Sequence, residues 1–340
     1  MNIHIKNICV IIATAATLMA VNLPVQAQPV DVSIGGTALY SWWNPYWNNR
    51  KILQKSPEQA VLRAMFKYQV VDKHAPRYPV IQQFRYGPDA SIRFLRNWEI
   101  APSFQYGEAS TKGGNFTVNP NSNPPPPNLI PLYRTISMKI KQYNIYSSFG
   151  YYFLKYFKCF LGLRVEIINN SIDYKHIELR FFSSNIFVLG MYMKTLHITP
   201  EAGFNIILPI SDAASFICAI SGTVQAGSNR SNYRDSYNIF NMPPLSIKPM
   251  PRFKIQRDIY LAAGGNASVA FKINVPVINI SFTMGAYYRV LRYFQKNRDR
   301  SVFDLDGSYD HNYGFLYSVA YTFSFGARKK PRLWIPQPNY

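Results

Sequence analysis

The strongest constraint on the fold of this chain is a run of alternating residues between Arg257 and Leu291. From Ile259 to Ile273 every second residue is apolar or small, and the residues between them are mostly small or polar. The alternation starts again at Ile278, after Asn274-Val275-Pro276. Because successive side chains of a strand point to opposite faces, this pattern predicts two long amphipathic strands joined by a tight turn.

The length of these strands separates two kinds of β protein. Strands of soluble proteins usually run about five or six residues, whereas the apolar face here persists from Ile259 to Ile273. A strand that crosses a bilayer needs roughly 9–11 residues that are apolar towards lipid and polar towards the inside. The pattern therefore favours transmembrane strands, and the alternative is a large soluble β-sandwich whose apolar face covers a core.

The same alternation recurs along the chain and predicts ten strands. They are Val30–Trp42, Phe84–Phe94, Trp98–Tyr106, Tyr133–Phe153, Cys159–Ile167, Leu196–Leu208, Phe216–Ala226, Ile259–Ile273, Ile278–Val290 and Tyr313–Phe325. Long and tight connections alternate between them, which is typical of long external loops and short periplasmic turns, and an even number of strands places both termini on the periplasmic side. The predicted fold is all-β: a closed, up-and-down, antiparallel transmembrane barrel of about ten strands, since closed barrels and helices are the structures that satisfy every backbone group in lipid.

Several segments interrupt the alternation. The phase changes in the fourth strand, which predicts a bulge near Gln142 or a strand that projects above the membrane, and Pro88 and Pro102 each remove a donor from a strand ladder. The stretch Asn185–Lys194 fits neither strand nor loop clearly. The predicted loops are Trp43–Gln83, Glu108–Pro131, Asn169–Ser184, Ser228–Gln256 and Arg292–Asp310.

The two ends of the chain and the first loop carry other signals. Met1–Ala27 fits a secretory signal peptide, with Lys6 before an apolar stretch and a small-residue cleavage site at Val25-Gln26-Ala27. Residues 28–326 then form the predicted barrel and residues 327–340 a basic tail. In the first loop, Ser56-Pro57-Glu58-Gln59 is a helix start, so a short helix to Lys67 either packs on its own loop or covers the barrel mouth as a lid or plug.

The last predicted strand ends in a specific motif, Ala320-Tyr321-Thr322-Phe323-Ser324-Phe325. Its alternating aromatic residues Tyr321, Phe323 and Phe325 resemble the C-terminal assembly signal of bacterial outer-membrane β-barrel proteins. The resemblance implies a location in the cell outer membrane, with outer-membrane lipid and the barrel-assembly machinery as partners. Members of that class usually end on the aromatic residue, whereas here residues 326–340 follow and include Arg328-Lys329-Lys330.

Nine charged residues fall on the phase that faces the inside of the predicted barrel. A ten-stranded lumen is narrow, so opposed charges either pair across it and close it, or they line a narrow polar pore that favours anions. The predicted lumen-lining residues are Arg85, Asp89, Arg93, Glu99, Arg164, Glu166, Glu201, Lys272 and Arg289.

No catalytic, metal or cofactor site is predicted. Asp310 and His311 sit at the rim of the last strand, as acidic and histidine residues do in outer-membrane proteases, but adjacent strand residues point to opposite faces. His197 faces inward without an obvious serine partner, and no metal-spaced cluster or phosphate loop occurs. Cys159 and Cys218 lie on the apolar phase and are expected to act as small apolar residues.

The formal net charge of +20 is concentrated in two predicted loops. A secretory signal argues against a nucleic-acid partner, and basic loops are drawn to the phosphates of lipid head groups. Two functions are open: a narrow channel for small polar or anionic solutes, or a structural or surface-interaction barrel whose blocked lumen is passive and whose basic loops bind lipid head groups or a host molecule. The oligomeric state is not predicted. The basic loop residues are Arg50, Lys51, Lys55, Arg63, Lys67, Lys73 and Arg77 in the first loop, and Arg230, Arg234, Lys248, Arg252 and Lys254 in the fourth.

Overall fold

A computed structural model describes residues 30–44, 80–95, 97–118, 131–154, 156–180, 183–240, 246–249, 256–295 and 305–325. The predicted signal peptide, the predicted helix in the first loop and the basic C-terminal tail lie outside these residues. In the described part of the chain, no helix is both long and apolar enough to span a membrane.

Eleven strands make up the described structure, and ten of them are long. Their bounds are β1 Val30–Asn44, β2 Ile81–Phe94, β3 Trp98–Val118, β4 Pro131–Leu154, β5 Phe157–Arg180, β6 Ser183–Pro209, β7 Ala214–Phe240, β8 Ser246–Pro249, β9 Gln256–Val275, β10 Ile280–Phe294 and β11 Tyr309–Phe325.

The ten long strands form one closed antiparallel ring. Each pairs with its neighbours in sequence, β7 pairs with β9, and the ring closes because β1 pairs with β11. The short strand β8 pairs with the far end of β7 and takes no part in the closure. Following the register once around the ring from Phe157 leads back to β5 at Asn169, a shift of 12 residues. Such a shift requires strands that are inclined to the barrel axis.

The tight turns all lie at one end of the barrel. They connect β2 to β3, β4 to β5, β6 to β7, and β9 to β10. Asn279 in the last of these adopts a positive φ of 53°, which asparagine tolerates in turns. Val30 pairs with Phe325, so the first and last strands also begin and end at this level. The predicted closed, up-and-down barrel of ten strands is confirmed.

The barrel wall is taller than the sequence pattern predicted. Strand β3 continues to Val118, β5 to Arg180 and β7 to Phe240, through segments predicted as loops. The predicted loop Asn169–Ser184 is therefore wrong except for residues 181–182, and much of the loops Glu108–Pro131 and Ser228–Gln256 is strand as well. The ambiguous stretch Asn185–Lys194 belongs to β6. Above the membrane neither face of a strand must be apolar, so the alternation fades while backbone pairing continues.

The phase change in β4 has a different cause from the predicted bulge. The register between β4 and β5 runs without a break from Leu132 to Tyr152, so the bulge near Gln142 is wrong. Met138 and Ile140 lie on the same inward phase as Gln142, and all three are buried. The change of pattern marks the level at which the interior becomes apolar, on a strand tall enough to project above the membrane.

The two prolines lie in strands, as the alternation required. Pro88 is in β2 and Pro102 in β3, and the β2–β3 ladder is interrupted beside them, between Tyr86 and Asp89 and again between Asp89 and Ile92. Each missing proline N–H removes a ladder donor without ending the strand.

Candidate functional site: the interior of the barrel

The middle of the lumen is organised around the Glu166 carboxylate of β5. Glu166 accepts hydrogen bonds from the Gln142 side-chain amide and interacts through Oε2 with His197 Nδ1 at 2.7 Å. The other ring nitrogen of His197 lies 2.6 Å from the Tyr260 hydroxyl. A guanidinium nitrogen of Arg289 lies 4.0 Å from Glu166 Oε1. A buried carboxylate is tolerated only when charges and donors surround it in this way.

A second carboxylate, Glu201 of β6, has its own set of partners. Arg164 pairs with Glu201 Oε2 at 3.3 Å. Ser221 Oγ and Asn266 Nδ2 donate to Glu201 Oε1 at 2.5 Å and 3.0 Å. These groups come from β5, β6, β7 and β9, so the carboxylate links four of the ten long strands of the wall.

Several side chains bridge strands that are not neighbours in the wall. Arg85 of β2 donates to the Tyr287 hydroxyl of β10 at 2.9 Å, although β1 and β11 lie between these strands. Arg289 of β10 donates to Gln225 of β7 at 2.7 Å. The 4.0 Å approach of Arg289 to Glu166 joins β10 to β5, which lie on different sides of the ring. Polar side chains therefore cross the lumen at this level.

A third charged cluster lies towards the end that carries the tight turns. Glu99 Oε1 pairs with Lys158 at 2.8 Å, and the Tyr152 hydroxyl donates to Glu99 Oε2 at 2.6 Å. The Arg93 guanidinium lies 4.5 Å from the centre of the Tyr152 ring, as in a cation–π contact. Lys272 is half-buried near this cluster. In the same region Asp89 lies near the hydroxyl groups of Thr37 and Ser318.

The opposite end of the lumen is filled with apolar and aromatic side chains. Tyr293 and Leu305 are completely buried, and the Tyr293 hydroxyl and Trp43 Nε1 both donate to the Asp310 carboxylate, at 3.2 Å and 2.8 Å. Leu305 lies in the segment just before β11. Its backbone N–H donates to Gln295 Oε1 at 2.9 Å, and this bond holds the segment against the end of β10. This layer therefore closes the interior towards the long connections. Its other buried members are Ile81, Met138, Ile140, Ile168, Met193, Tyr260 and Leu291.

Between these layers lies a cavity of about 220 Å³. Three guanidinium groups line it, those of Arg85, Arg164 and Arg289, together with Glu201 and Tyr287. The Nε atom of each arginine is buried without a hydrogen-bond partner among the described residues. A buried donor without a partner is costly, so this cavity is suited to water or a small polar solute.

The outer surface of the ring has the opposite character. Large apolar side chains such as Leu161, Phe204 and Ile220 are half exposed or more, and exposed apolar side chains occur on every long strand except β3 among the described residues. Aromatic clusters border this apolar band at both ends. They are Trp98, Phe149, Tyr151, Phe153, Phe157, Tyr321 and Phe323 near the turns, and Tyr40, Trp42, Tyr86, Tyr106, Tyr143 and Tyr313 at the other end.

An apolar band between two aromatic girdles on a closed barrel fits the hydrocarbon layer of a bilayer. This is the architecture of an outer-membrane β-barrel. The tight turns of this outer-membrane barrel then lie on the periplasmic side, and the apolar layer of its lumen lies at the external end. Cys159 and Cys218 are free cysteines on the outer surface, in agreement with their predicted role as small apolar residues.

No protein-family model matches the chain, and no curated protein matches it. Among solved structures, the outer membrane protease OmpT from Escherichia coli is 9% identical, with a TM-score of 0.34, over 89% of this chain and 99% of that chain. The attachment invasion locus protein Ail of Yersinia pestis is 12% identical, with a TM-score of 0.22, over 87% of this chain and 98% of that chain. The transport unit of the autotransporter AIDA-I from Escherichia coli is 9% identical, with a TM-score of 0.24, over 89% of this chain and 93% of that chain. All three are bacterial outer-membrane barrels with different roles.

The rim residues Asp310 and His311 are placed on opposite faces. Asp310 is buried against Trp43 and Tyr293 inside the barrel. The ring of His311 lies on the outside, with Nδ1 2.7 Å from the Tyr288 hydroxyl. The two side chains therefore cannot act together on one substrate atom.

The structure places all nine predicted lumen residues in the interior, but in separate groups. Glu166 lies with Arg85 and Arg289, Glu201 with Arg164, and Glu99 with Arg93, while Lys272 lies between the Glu99 cluster and Asp89. The other polar partners were not predicted as partners, although His197 was predicted to face inward, because a polar residue on the inward phase is common in any barrel. The missed residues are Gln83, Gln142, His197, Gln225, Tyr260, Asn266 and Tyr287.

Proposed function

We propose that this outer-membrane barrel has a blocked lumen and acts at the cell surface, through the part of its wall that projects above the membrane. The observation that carries the proposal is the set of side-chain bonds across the interior, such as Arg85 to Tyr287. A water-filled pore would hydrate these groups separately, whereas here they are partly or fully buried and bond to each other.

The two ends of the lumen support the same proposal. The external end holds buried Trp43, Tyr293 and Leu305, and the periplasmic end holds the Glu99–Lys158 pair. In the described part of the lumen, the apolar layer raises the cost of passage for a hydrated ion, and breaking the pair would leave an uncompensated buried charge. The wall above the aromatic girdle is built by strands β3 to β7, which reach well beyond the length that a bilayer requires.

The test is conductance of the refolded protein in planar bilayers, with flotation of proteoliposomes as proof of insertion. We expect no discrete current steps from inserted protein. Steps whose size follows the salt concentration would refute the blocked lumen. A variant with Arg85→Ser, Tyr287→Ser and Arg289→Ser removes the bridges at mid-lumen and is expected to remain silent unless the external apolar layer is also opened.

The second candidate function is a narrow channel that favours anions. The cavity of about 220 Å³ with its three arginines favours it, since positive side chains lower the barrier for an anion. The same recordings decide between the two, because a channel would show steps with a higher permeability for chloride than for potassium. Arg164→Gln would then reduce this preference.

A further inference from the structure

The outer surface of strands β4 to β7 carries a row of basic residues. The sequence pattern had placed Lys141 in a predicted strand, Lys194 in an unassigned stretch and Arg230 in a predicted loop. Lys141 pairs with Asn169, Asn169 with Lys194, and Lys194 with Arg230, so these four residues lie side by side across four strands. Lys141, Lys194 and Arg230 are exposed. One row further from the turns, Lys139 pairs with Ser171 and Ser171 with Tyr192.

Like charges are direct neighbours in this row. Lys194 and Arg230 are opposite each other in the β6–β7 ladder, where neighbouring strands are about 4.8 Å apart. Like charges at such positions destabilise a sheet unless an anion lies between them. Neither residue forms an ion pair with another described residue.

Among the side chains that the structure describes, an acidic residue pairs with one end of the row but not with Lys194 or Arg230. Glu108 pairs with Lys141 at 3.0 Å, at the end of the row furthest from Arg230. Asp173 lies on β5, two residues beyond Ser171. Apart from Arg230, the described polar groups beside Lys194 are neutral, and the Tyr192 hydroxyl donates to Asn169 Oδ1 at 3.1 Å. A cationic patch with neutral hydrogen-bonding groups around it remains.

The patch sits directly above lipid-facing apolar rows. The row below it contains Tyr143, Ile167 and Leu196, and the next contains Ile145, Val165, Ile198 and Ala226. Tyr143 belongs to the external aromatic girdle. The basic row is therefore at the level where head groups of the outer leaflet meet the acyl chains, as positive side chains that contact lipid phosphates must be.

We propose that Lys139, Lys141, Lys194 and Arg230 form a binding site for the phosphate groups of an anionic glycolipid in the outer leaflet. The phosphates lie between the cations and relieve the repulsion of Lys194 and Arg230, while the acyl chains run down the apolar rows beneath. Asn169 and Tyr192 offer hydrogen bonds to the sugar. The anionic glycolipid would then be a partner for the surface role proposed above. The inference rests on that proposed function only for the orientation of the barrel in the membrane.

The experiment measures binding of lipid A, a bisphosphorylated glycolipid, to the refolded full chain in zwitterionic detergent. Lys194→Gln/Arg230→Gln removes the like-charged pair. Arg292→Gln is the matched control, because Arg292 is an exposed basic residue of β10 whose ladder partners are Ala263 and Tyr309. With about fivefold per basic residue near a lipid phosphate, the double variant is expected to bind about 25-fold more weakly, and the control less than about fivefold more weakly.

The unfolding midpoint without anionic lipid gives an independent readout. Removal of two repelling charges is expected to leave the double variant at least as stable as the wild type in the absence of lipid. Lipid A is expected to raise the unfolding midpoint of the wild type much more than that of the double variant. Equal lipid A binding by wild type and double variant would overturn the inference, and so would a double variant that is less stable without lipid.

Competition with inorganic phosphate identifies the source of the phosphate. We expect no displacement of lipid A, because a free ion lacks the apolar contacts of the acyl chains. Displacement at millimolar phosphate would make the patch a site for free anions and overturn the lipid assignment. Conductance tests the blocked lumen separately: a silent barrel without lipid preference refutes this inference alone, and a conducting barrel with lipid preference refutes the blocked lumen alone.

Discussion

Removal of the Glu166 carboxylate is the sharpest test of the interior described here. In Glu166→Ala, Gln142 loses its buried acceptor, His197 loses the partner of Nδ1, and Arg289 loses the nearest anion. Each unsatisfied buried donor costs about 1–3 kcal/mol, and breaking a buried ion pair from one side costs about 3–5 kcal/mol. These contributions overlap because they concern the same groups, so we expect a loss of about 3–5 kcal/mol in the free energy of unfolding.

Reversible urea unfolding of the protein refolded into vesicles measures this loss. Glu108→Gln is the control, since Glu108 is an exposed carboxylate that also has a cationic partner, Lys141 at 3.0 Å. An exposed pair of this kind contributes little because water and salt screen it, and we expect no measurable change in stability. A Glu166→Ala variant that is as stable as Glu108→Gln would refute a tightly packed interior and with it the physical basis of the blocked lumen.

The same substitution in a second background tests whether His197 and Glu166 act as a pair. In a His197→Ala protein the imidazole is already absent, so Glu166→Ala should cost less than it does in the wild type. Equal losses in the two backgrounds would mean that the 2.7 Å contact between Nδ1 and the carboxylate contributes nothing to stability.

Four further predictions follow from the wall and the interior. A Cβ at Gly264 would lie 1.9 Å from a backbone oxygen, whereas one at Gly222 would meet nothing within 4 Å, so urea unfolding should show a loss of about 1–3 kcal/mol for Gly264→Ala and none for Gly222→Ala. Tyr260→Phe removes the hydroxyl beside His197 Nε2 and Asn229 Oδ1 and should cost about 1–3 kcal/mol in the same assay. Leu163→Arg places a charge on the lipid-facing surface, at a level of β5 between the ladder partners of the girdle residues Phe149 and Tyr143, and should cost about 2–4 kcal/mol in the same assay. Phe325→Ser should lower the amount of heat-modifiable barrel in outer membranes of cells, while refolding of the purified chain in detergent stays unchanged.

The periodic sequence predicted the wall well where a bilayer constrains it. Between the girdles, a residue that faces lipid must be apolar, so the alternation from Ile259 to Ile273 indicated a transmembrane strand. Above the membrane this constraint ends, and the extensions of β5 and β7 show no regular alternation of apolar and polar residues. The row from Lys141 to Arg230 was missed for that reason, because half of it was placed in predicted loops.

The phase of each strand also separated interior from exterior residues, but it could not tell which interior groups meet. Arg85 and Tyr287 are 202 residues apart in the chain, and nothing near either residue indicates the other. Tyr260 is a similar case, since its inward phase was clear while its contact with His197 depends on the positions of β6 and β9 on either side of β7.

By itself, then, the sequence determined that the chain forms about ten long amphipathic strands, with an apolar exterior and a charged interior. The tertiary structure decided everything that depends on register: the shift of 12 residues around the ring, the pairing of Glu166 with groups from several strands, and the alignment of Lys194 beside Arg230. The reason is that side-chain phase is a property of a single strand, whereas register is set by hydrogen bonds between strands and by closure of the whole ring.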